Sequence, residues 1–548
     1  MNDVVTLYEL FVDSARRHHD LPMIAVPPRL VEPWRFPAEM TYGEVLQRVD
    51  ELADSYAARG FGDGDLVALA FDSRPQHLLH HLALNRIGTC TVPLNTDLTA
   101  RELGYVLSHS GASAVVCISE VADHVHAAVR ASATDIAVAV DGPADLPPVA
   151  PADRARLEVS ADPAATPAAI LYTSGTTGHP KGCVIDNRYA LASGQMYGKA
   201  TAGLALRPGI DRVLNPLPLY HMNTLMMTAG AVIARGACLV LPGRFSATHW
   251  WDDIRATRAT RFHYLGIMIP ALMTTPASPA DRDHTVVNAI GAGVDPAVHA
   301  AFEERFGIPL HEVWGMTETG RGLLVAEEPR RIDTRACGRP QGGIEARILR
   351  EDGTEAPDGE VGELVVRDGS GDPRRGFFAG YLHDPEATEE AWRGGWFHTG
   401  DLCRRGGDGM FYFVDRAKNI IRRSGENISS AEVEAVLAED PHVAQVAVLA
   451  VPDALRDEEV LAVVVPRGGS TDVDTARAIC ERARERLAYY KVPGWIRFTD
   501  TLPTTGTQKV QKHLLLPDGF DETASRPGLH DCRPFKKRRP TTAQEARP

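Results

Sequence analysis

The chain has 548 residues, and this length favours about three to five structural units, or one large composite unit with a smaller one. Its formal net charge of −14 argues against a protein that coats nucleic acid non-specifically. Hydrophobic residues make up 44% and charged residues 24%, fractions that are typical of folded proteins and exclude wholesale disorder.

The eight cysteines are scattered, with no C-x-x-C pair and no metal-ligand spacing. This distribution argues against a disulfide framework or a structural zinc site, and it favours a reducing, cytoplasmic location. Acidic residues at Asp3, Glu9 and Asp13 interrupt the N-terminal segment, so we expect no signal peptide. The longest mostly apolar stretch, at 225–234, is too short to span a bilayer, which needs about 20 residues.

Short apolar runs alternate with helical patterns through the first half of the chain. Strands are predicted at 65–71, 89–94, 113–119, 237–241 and 260–265. Residues 75–87 predict a helix, and the Ala-, Pro- and Asp-rich segment 141–168 predicts a connecting loop. This alternation predicts mixed α/β layers with parallel sheets.

The pattern changes in the second half. Residues 338–413 are rich in glycine and predict short antiparallel strands. After residue 418, two helices (432–439 and 475–487) and two strands (443–451 and 460–466) predict a small α+β domain. The basic tail 521–548 is predicted to be disordered, and its Lys/Arg block at 536–539 is interpreted as solvated, with contact to anionic partners as the alternative.

The most informative segment is 171–182, L-Y-T-S-G-T-T-G-H-P-K-G, which follows an apolar run and is predicted to precede a helix. Gly175 and Gly178 allow successive backbone N–H groups to converge on an anion. Ser174, Thr176 and Thr177 add hydroxyl donors, and Lys181 adds a cation. The segment is not a Walker A loop, and it predicts a polyphosphate site, with an ordinary surface loop as the alternative.

The string T-S-G-T-T-G-x-P-K-G resembles the phosphate loop of the adenylate-forming superfamily, which includes acyl-CoA synthetases, aryl-CoA ligases, nonribosomal adenylation domains and firefly luciferase. Further motifs follow in the expected order over about residues 1–520. The resemblance implies a large N-terminal AMP-binding domain (1–415) of layered α/β sheets with a small β-barrel-like part. A hinge (416–418) would join it to a mobile α+β domain (419–520), before the tail (521–548).

The resemblance assigns ATP, Mg²⁺ and coenzyme A to these motifs. It implies that Thr173 joins the loop residues in holding phosphate, while Trp314 and Gly315 contact the adenine side. Thr317 would contact the α-phosphate, and Glu318 would hold the metal ion, which suits a cation that takes one protein carboxylate and completes its shell with phosphate and water. Asp401 would accept hydrogen bonds from the ribose hydroxyls, beside Arg416.

Three further positions follow from the resemblance. Lys418 corresponds to the hinge residue. Gly425, in a G-E-N variant seen in carnitine-type CoA ligases, would line the pantetheine tunnel, where the absence of a side chain leaves room. Lys509 corresponds to the catalytic lysine, whose charge offsets that of the transition state, although Gln508 replaces the usual glycine.

The resemblance also outlines an acyl pocket, lined by Met222, Asn223, Met227, Ala292, Gly293, Gly315, Met316 and Arg321. His221 would lie between this pocket and the nucleotide, in a gating or positioning role, with proton transfer or a purely packed histidine as the alternatives. If Arg321 points inward, it needs an anionic or polar partner, which favours an acid with a second carboxylate or polar end and disfavours carnitine. In the alternative, Arg321 points outward or pairs with a protein acid such as Glu327.

The predicted function is therefore an ATP-dependent acid–CoA ligase that activates a dicarboxylic, aryl or otherwise polar acid as its acyl-adenylate, then forms the thioester, and releases AMP and pyrophosphate. One alternative is an adenylating enzyme that passes the acyl group to a carrier protein or another nucleophile. A distant alternative is a non-catalytic nucleotide-binding regulator. We expect a small carboxylic acid as substrate, no nucleic acid and no membrane span, and the sequence leaves the oligomeric state open.

Overall fold

A computed structural model describes residues 4–148, 157–158, 160–173, 180–200, 203–416, 420–423, 426–453, 457–487, 489–504, 510–516, 520 and 528–536. The chain divides into two compact units. The first contains Met1–Arg347, Val365–Thr399 and Arg405–Tyr412, and the second contains Ile348–Leu364, Gly400–Arg404 and Phe413–Pro548. The second unit therefore begins earlier in the chain than the predicted hinge, because it includes two short segments before residue 413.

The helices of the first unit are α1 (Leu7–Arg17), α2 (Pro28–Trp34), α3 (Tyr42–Ala58), α4 (Pro75–Arg86), α5 (Ala100–Ser110), α6 (Ala122–Ser132), α7 (Asn187–Gly198), α8 (Ala229–Arg235), α9 (Trp250–Thr257), α10 (Met268–Met273), α11 (Pro296–Phe306) and α12 (Pro385–Ala391). Three of them begin at Thr-x-x-Glu capping boxes, formed by Thr6 and Glu9, Thr41 and Glu44, and Thr99 and Glu102. In each box the Thr side chain and the Glu side chain satisfy two backbone N–H groups that would otherwise lack partners at the helix start.

The strands of the first unit are β1 (Pro22–Ala25), β2 (Glu39–Thr41), β3 (Leu66–Ala70), β4 (Cys90–Pro93), β5 (Ala114–Cys117), β6 (Ala137–Val140), β7 (Pro167–Thr173), β8 (Lys181–Asp186), β9 (Arg212–Leu214), β10 (Cys238–Val240), β11 (Arg261–Leu265), β12 (Asn288–Ala292), β13 (Leu310–Trp314), β14 (Leu323–Leu324) and β15 (Ala336–Pro340). The predicted strands and the predicted helix before residue 300 are confirmed, with ends that differ by one or two residues.

Four more strands contribute residues to both units: β16 (Ile344–Leu349), β17 (Val361–Asp368), β19 (Phe397–Arg405) and β20 (Phe411–Arg416). Their order is β16-β17-β19-β20, and they occupy the region that was predicted to hold short antiparallel strands. The two-residue strand β18 (Gly380–Tyr381) lies in the first unit.

One sheet of the first unit has the strand order β18-β8-β7-β4-β3-β5-β6. Its five strands from β7 to β6 are parallel, whereas β8 runs antiparallel to β7, and β18 runs antiparallel to β8. The apolar runs of β3 and β5 are buried along their whole length, as expected for parallel strands that are covered on both faces. The mixed α/β fold that the sequence predicted is confirmed.

A second sheet of the first unit has the order β15-β14-β13-β12-β11-β9-β10-β1-β2. The strands from β13 to β1 are parallel, and the flanking β14, β15 and β2 are antiparallel. Because β12 and β13 are parallel neighbours, the residues that follow Ala292 and Trp314 emerge at the same edge of this sheet. Ligands of α/β proteins usually bind at such carboxyl ends.

The second unit contains β21 (Ile420–Arg423), β22 (Glu426–Ser429), α13 (Ser430–Ala438), β23 (Val443–Asp453), β24 (Asp457–Pro466), α14 (Val473–Arg486), β25 (Trp495–Phe498) and β26 (Leu529–Asp531). Its sheet has the order β22-β21-β24-β25-β26, with β23 paired to β24. The small α+β domain is thus confirmed.

The tail differs from the prediction over 528–536. Here β26 pairs with β25, Cys532 is buried in the core of the unit, and the Lys536 ammonium lies 2.6 Å from a carboxylate oxygen of Glu459. The segment has only three apolar residues spaced among charges, which is too weak a pattern to predict a strand. The formation of an edge strand depends on the sheet with which it pairs rather than on its own sequence.

The structure contains no helix, within the residues it describes, that is long and apolar enough to cross a membrane. All eight cysteines are buried and free, in agreement with the prediction of no disulfide framework.

Candidate active site

The predicted phosphate loop connects two antiparallel strands. β7 ends at Thr173, and β8 begins at Lys181, which is the register partner of Thr173. Ser174, Gly175, Thr176, Thr177 and Gly178 lie outside the described residues. The prediction that a helix follows the loop directly is wrong, since K-G-C-V-I-D forms β8, and α7 begins one strand later.

Lys181 contacts two side chains that the sequence did not single out. Its Nζ lies 3.2 Å from an Asp384 carboxylate oxygen and 4.7 Å from the centre of the Tyr381 ring. Asp384 also caps α12, and the N–H of Ala387, followed by Lys181, holds the pKa of Asp384 below its usual value. The loop cation therefore has an anionic partner within the protein itself.

Glu318, the predicted metal ligand, is buried and lies beside the same tyrosine. The Tyr381 hydroxyl donates a hydrogen bond of 3.0 Å to its carboxylate. The Cys183 thiol is a second neighbour, and its pKa is raised first by burial and then by Glu318. The structure thus brings Lys181 and Glu318 together through Tyr381.

The segment around Trp314 continues from β13. Trp314 is largely buried, whereas Gly315 is exposed, and the space where its Cβ would lie is open apart from the Arg321 carbonyl oxygen at 3.8 Å. The Tyr189 hydroxyl donates to the Thr317 carbonyl oxygen at 2.8 Å, which fixes the backbone at that position. The backbone at Gly315 is therefore open to its surroundings on the side where other residues carry a side chain.

Arg321 forms a buried ion pair with Asp368. Its Nη1 donates to the Asp368 carboxylate and to the Gly342 carbonyl oxygen, each at 2.7 Å, and its Nη2 donates to the Arg375 carbonyl oxygen. Burial opposes ionisation of Asp368, but hydrogen bonds from Ser370 and Arg321 bring its pKa below the usual value. Of the two alternatives left open, the structure has the pairing with a protein acid, although the acid is Asp368 and not Glu327.

Met222 is the N-cap of a π-helix, Asn223–Thr228, which begins at Asn223 and contains Met227 near its end. The Asn215 Nδ2 donates to the Asn223 side-chain oxygen and to the Thr228 hydroxyl, each at 2.9 Å. The Asn215 oxygen accepts from the Leu217 N–H at 3.0 Å, so this buried amide has a fixed orientation. Asn223 is half-buried, and its side-chain oxygen is the end of the amide that Asn215 engages.

His221 precedes this π-helix, and its ring lies against Tyr220 with the ring centres 4.7 Å apart. Burial lowers its pKa to about 4. The imidazole is therefore neutral near pH 7, which suits a positioning role better than storage of a proton.

The glycine-rich segment after β12 is held by Glu312, which the sequence analysis missed. Its carboxylate accepts from the Gly293 N–H and from the Tyr264 hydroxyl, each at 2.6 Å. Burial raises its pKa. Gly293 has a positive φ of 81°, and the space beside its Cα is open, so the segment presents a small surface after Ala292. An acidic residue inside the apolar strand L-H-E-V-W was the signal that could have identified Glu312.

In the second unit, Asp401 and Arg416 form an ion pair with an N–O distance of 2.7 Å. The adjacent Asp415 accepts hydrogen bonds from the Ser429 hydroxyl at 2.9 Å and from the Ala431 N–H at 3.0 Å, and so ties the end of β20 to the start of α13. The two residues predicted at the ribose are thus brought together. Lys418, Gly425 and Lys509 lie outside the described residues.

Residues 11–382 match the family described as AMP-binding enzyme, and residues 432–509 match the AMP-binding enzyme C-terminal domain. The chain belongs to the AMP-binding enzyme family. This confirms the resemblance to adenylate-forming enzymes that the motifs indicated.

Named relatives of this AMP-binding enzyme are acid–CoA ligases. A sulfoacetate–CoA ligase of Cupriavidus necator is 36% identical over 483 residues, which cover 87% of this chain and 92% of that protein. A crotonobetaine/carnitine–CoA ligase of Citrobacter koseri is 32% identical over 503 residues, which cover 87% and 93%. The prediction of an AMP-forming acid–CoA ligase, with ATP and coenzyme A as substrates of its family, is confirmed.

Solved structures agree with this assignment. ATP-bound MatB from Rhodopseudomonas palustris has 26% identity and a TM-score of 0.75, with 93% of this chain and 98% of that chain covered. The o-succinylbenzoate CoA synthetase MenE from Bacillus subtilis, in complex with its acyl-adenylate, has 24% identity and a TM-score of 0.77, with 92% and 97% covered. The second comparison supports the fold alone.

Proposed function

We propose that this AMP-binding enzyme activates a short carboxylic acid that carries a second polar or anionic group, and then transfers it to coenzyme A. The observation that carries the proposal is the arrangement of Lys181 and Glu318 on either side of Tyr381, next to the loop between β7 and β8. A cation and a buried carboxylate that contact the same tyrosine suit a polyphosphate with its counter-ion.

The residues present fit a magnesium ion. No group of three or more His, Cys, Asp or Glu side chains that could hold a metal exists within the described part of the chain. Mg²⁺ does not need one, because it commonly takes one or two carboxylates and completes its octahedron with substrate phosphates and water. Glu318 would supply the carboxylate, and the bound ion would neutralise phosphate charge.

The proposed reaction has two steps. An oxygen of the substrate carboxylate attacks the α-phosphorus of ATP, and pyrophosphate leaves. The thiol of coenzyme A then attacks the acyl carbon, and AMP leaves. Phosphate oxygens would replace the Asp384 carboxylate as the partner of the Lys181 ammonium. Lys509 would offset the charge that develops at the α-phosphate.

Other residues take supporting roles in this proposal. Trp314 and Gly315 would flank the adenine, and Asp401 with Arg416 would meet the ribose. Neutral His221 would position the acid. Lys418 is proposed as the pivot and Gly425 as part of the pantetheine tunnel, so that one domain face delivers the lysine and the other admits the thiol.

Asn223 supports the choice of acid. Its oxygen accepts from Asn215, so the end of the amide that we propose for contact with the acid is its NH₂ group, which offers donors and no acceptor. Such a group favours a sulfonate, carboxylate or hydroxyl at the far end of the acid. The sulfoacetate–CoA ligase among the relatives agrees with this chemistry.

Arg321 gives no basis for excluding carnitine. The prediction relied on repulsion between the Arg321 guanidinium and a trimethylammonium group, but the Arg321 charge is already balanced by Asp368. We propose that the donors of Asn223, rather than Arg321, discriminate against a cationic acid.

The test is a panel of acids assayed for AMP release, with and without coenzyme A, and with the thioester identified by mass spectrometry. We expect AMP and a CoA thioester with short acids that carry a polar end, sulfoacetate among them. AMP or adenylate without a thioester would favour a carrier protein or another acceptor. Absence of ATP–pyrophosphate exchange with every acid would favour a nucleotide-binding regulator.

A further inference from the structure

Two side chains on neighbouring strands meet the carboxylate of Glu318. Tyr381 of β18 is the register partner of Cys183 of β8. Residues that lie directly opposite each other in an antiparallel pair extend to the same face of the sheet. The Tyr381 hydroxyl donates to Glu318 at 3.0 Å, and the Cys183 thiol lies beside the same carboxylate. The strand pairing thus supplies two neighbours for one buried acid.

The same tyrosine also contacts the cation of the phosphate loop. Lys181 precedes Cys183 by two residues on β8, so their side chains extend to the same face. The Lys181 Nζ lies 4.7 Å from the centre of the Tyr381 ring, within the range of a cation–π contact. Tyr381 therefore holds a carboxylate with its hydroxyl and faces an ammonium with its ring.

We propose that Tyr381 is a positioning residue that couples the phosphate-binding Lys181 to the metal-binding carboxylate of Glu318. The inference rests on the proposed function for the roles of those two residues. Tyr381 itself touches neither nucleotide nor metal in this proposal. It fixes the separation of the two groups that do.

Asp384 completes the arrangement. Its carboxylate lies 3.2 Å from the Lys181 ammonium and is 41% exposed, so this pair can open to water at little cost. A phosphate oxygen can replace Asp384 at the ammonium while the ring of Tyr381 stays in contact. Lys181 is thereby held near its working position before the nucleotide binds.

The physical benefit is preorganisation. A carboxylate that is already held by a hydrogen bond loses less freedom when a cation binds. Partners that orient a metal ligand in this way typically change metal affinity or activity by about 10- to 100-fold when they are removed.

The test compares ATP binding with and without Mg²⁺ by calorimetry, in the absence of acid and coenzyme A. Tyr381→Phe removes the hydroxyl and keeps the ring, so the Mg²⁺ concentration that half-saturates the effect on ATP binding should rise by about 10- to 100-fold. The affinity of the Tyr381→Phe variant for metal-free ATP should stay unchanged. Tyr381→Leu removes the ring as well and should weaken metal-free ATP binding too.

Tyr8→Phe is the matched control, because the Tyr8 hydroxyl also donates to a carboxylate, that of Asp50, at 2.7 Å, among residues with no proposed role in the reaction. It should change neither measurement. Unchanged Mg²⁺ dependence in Tyr381→Phe would overturn the inference, as would equal weakening of ATP binding with and without the metal.

A second variant protects the test against misfolding. If Tyr381→Phe does not fold, Cys183→Ala removes the paired neighbour of Glu318 and should raise the Mg²⁺ requirement without affecting metal-free ATP. An unchanged Mg²⁺ requirement in the Cys183→Ala variant would also contradict the inference. A wild-type protein that binds ATP with Mg²⁺ but forms no adenylate with any acid would count against the proposed function and leave the role of Tyr381 intact.

Discussion

The guanidinium of Arg321 and the carboxylate of Asp368 lie 2.7 Å apart in an ion pair in which both side chains are more than nine-tenths buried. Two backbone carbonyl oxygens, of Gly342 and Arg375, accept from the same guanidinium. The pair joins the segment after β13 to β17. Both Nη groups are thus engaged within the protein rather than offered to a substrate.

Replacing Arg321 should therefore reduce stability rather than alter acid specificity. Arg321→Met leaves the Asp368 charge buried, and we expect a loss of about 3–5 kcal/mol in the free energy of unfolding. Urea titration followed by circular dichroism measures this loss. Steady-state assays should show equal reductions in kcat/KM for acids with and without a second carboxylate.

The double variant Arg321→Met/Asp368→Leu is the control for this prediction. It removes both charges and should recover most of the lost stability. A selective increase in KM for diacids in Arg321→Met would instead mean that the guanidinium turns toward the substrate, contrary to its hydrogen bonds.

Asn223 should determine the preference for a polar acid. Asn223→Leu removes the NH₂ group, and a lost hydrogen bond to a charged group should lower kcat/KM for sulfoacetate by about 10- to 100-fold. The value for propionate, which lacks a polar end, should change little. Steady-state measurements of AMP release with both acids provide the comparison.

Asn223→Asp is the sharper companion variant. The carboxylate keeps an acceptor for Asn215 but repels an anionic acid, so activity with sulfoacetate should fall further than in Asn223→Leu. An acid with a trimethylammonium end should gain. Equal effects of both variants on all acids would place Asn223 outside the acyl pocket.

Three histidines on α4 should make the first unit sensitive to acid. Burial lowers the pKa of His77 and His80 to about 3, and that of His81 to about 4. The unfolded chain binds protons at these groups near their usual pKa of about 6.5, whereas the folded protein does not. The stabilisation that comes from keeping these histidines neutral is therefore fully present above about pH 6.5, and it is lost as the pH falls toward 4.

The free energy of unfolding should fall steeply as the pH is lowered. Each such histidine contributes about 1.4 kcal/mol per pH unit between the two pKa values, so the three together contribute about 4 kcal/mol per unit. Urea unfolding at a series of pH values between 7 and 4.5 measures it. His77→Phe removes one of these groups and should reduce the slope by about 1.4 kcal/mol per pH unit. Leu78→Val, on the same helix, should lower the free energy of unfolding equally at every pH. A slope that His77→Phe leaves unchanged would contradict this account.

In the second unit, substitutions at Glu459 and Lys536 should differ in severity. Glu459 is fully buried and meets both Lys536, at 2.6 Å, and Arg423, at 2.9 Å. Glu459→Leu leaves two buried cations and should cost about 3–5 kcal/mol, whereas Lys536→Met leaves Glu459 paired with Arg423 and should cost less. Hydrogen exchange of a peptide covering 528–536 reports the opening of this segment, and the reverse ranking would disprove the proposed pairing.

The local sequence predicted secondary structure and contiguous motifs, since both depend on residue types over short stretches of the chain. The buried strands β3, β4 and β5 and the helix α4 follow from apolar runs and their period. The phosphate loop and the roles of the segment around Trp314 were predicted from contiguous motifs, because their chemistry needs particular residues at fixed spacing. The resemblance to the adenylate-forming superfamily rests on the same motifs, and the family matches over 11–382 and 432–509 confirmed it.

Contacts between distant residues could not be predicted in this way. Nothing in the pattern around Lys181 indicates Tyr381 or Asp384, which reach it because β18 pairs with β8. The strand after the phosphate loop was missed, although C-V-I is typical of a strand, because glycine-rich phosphate loops often precede helices.

The sequence by itself determined the order of the motifs, the α/β layers and the identity of the charged groups. The tertiary structure decided which charges pair: Arg321 with Asp368, Lys181 with Asp384 and Lys536 with Glu459. The physical reason is that an ion pair depends on a distance of a few ångströms between side chains, and that distance is set by strand order and register rather than by neighbours along the chain.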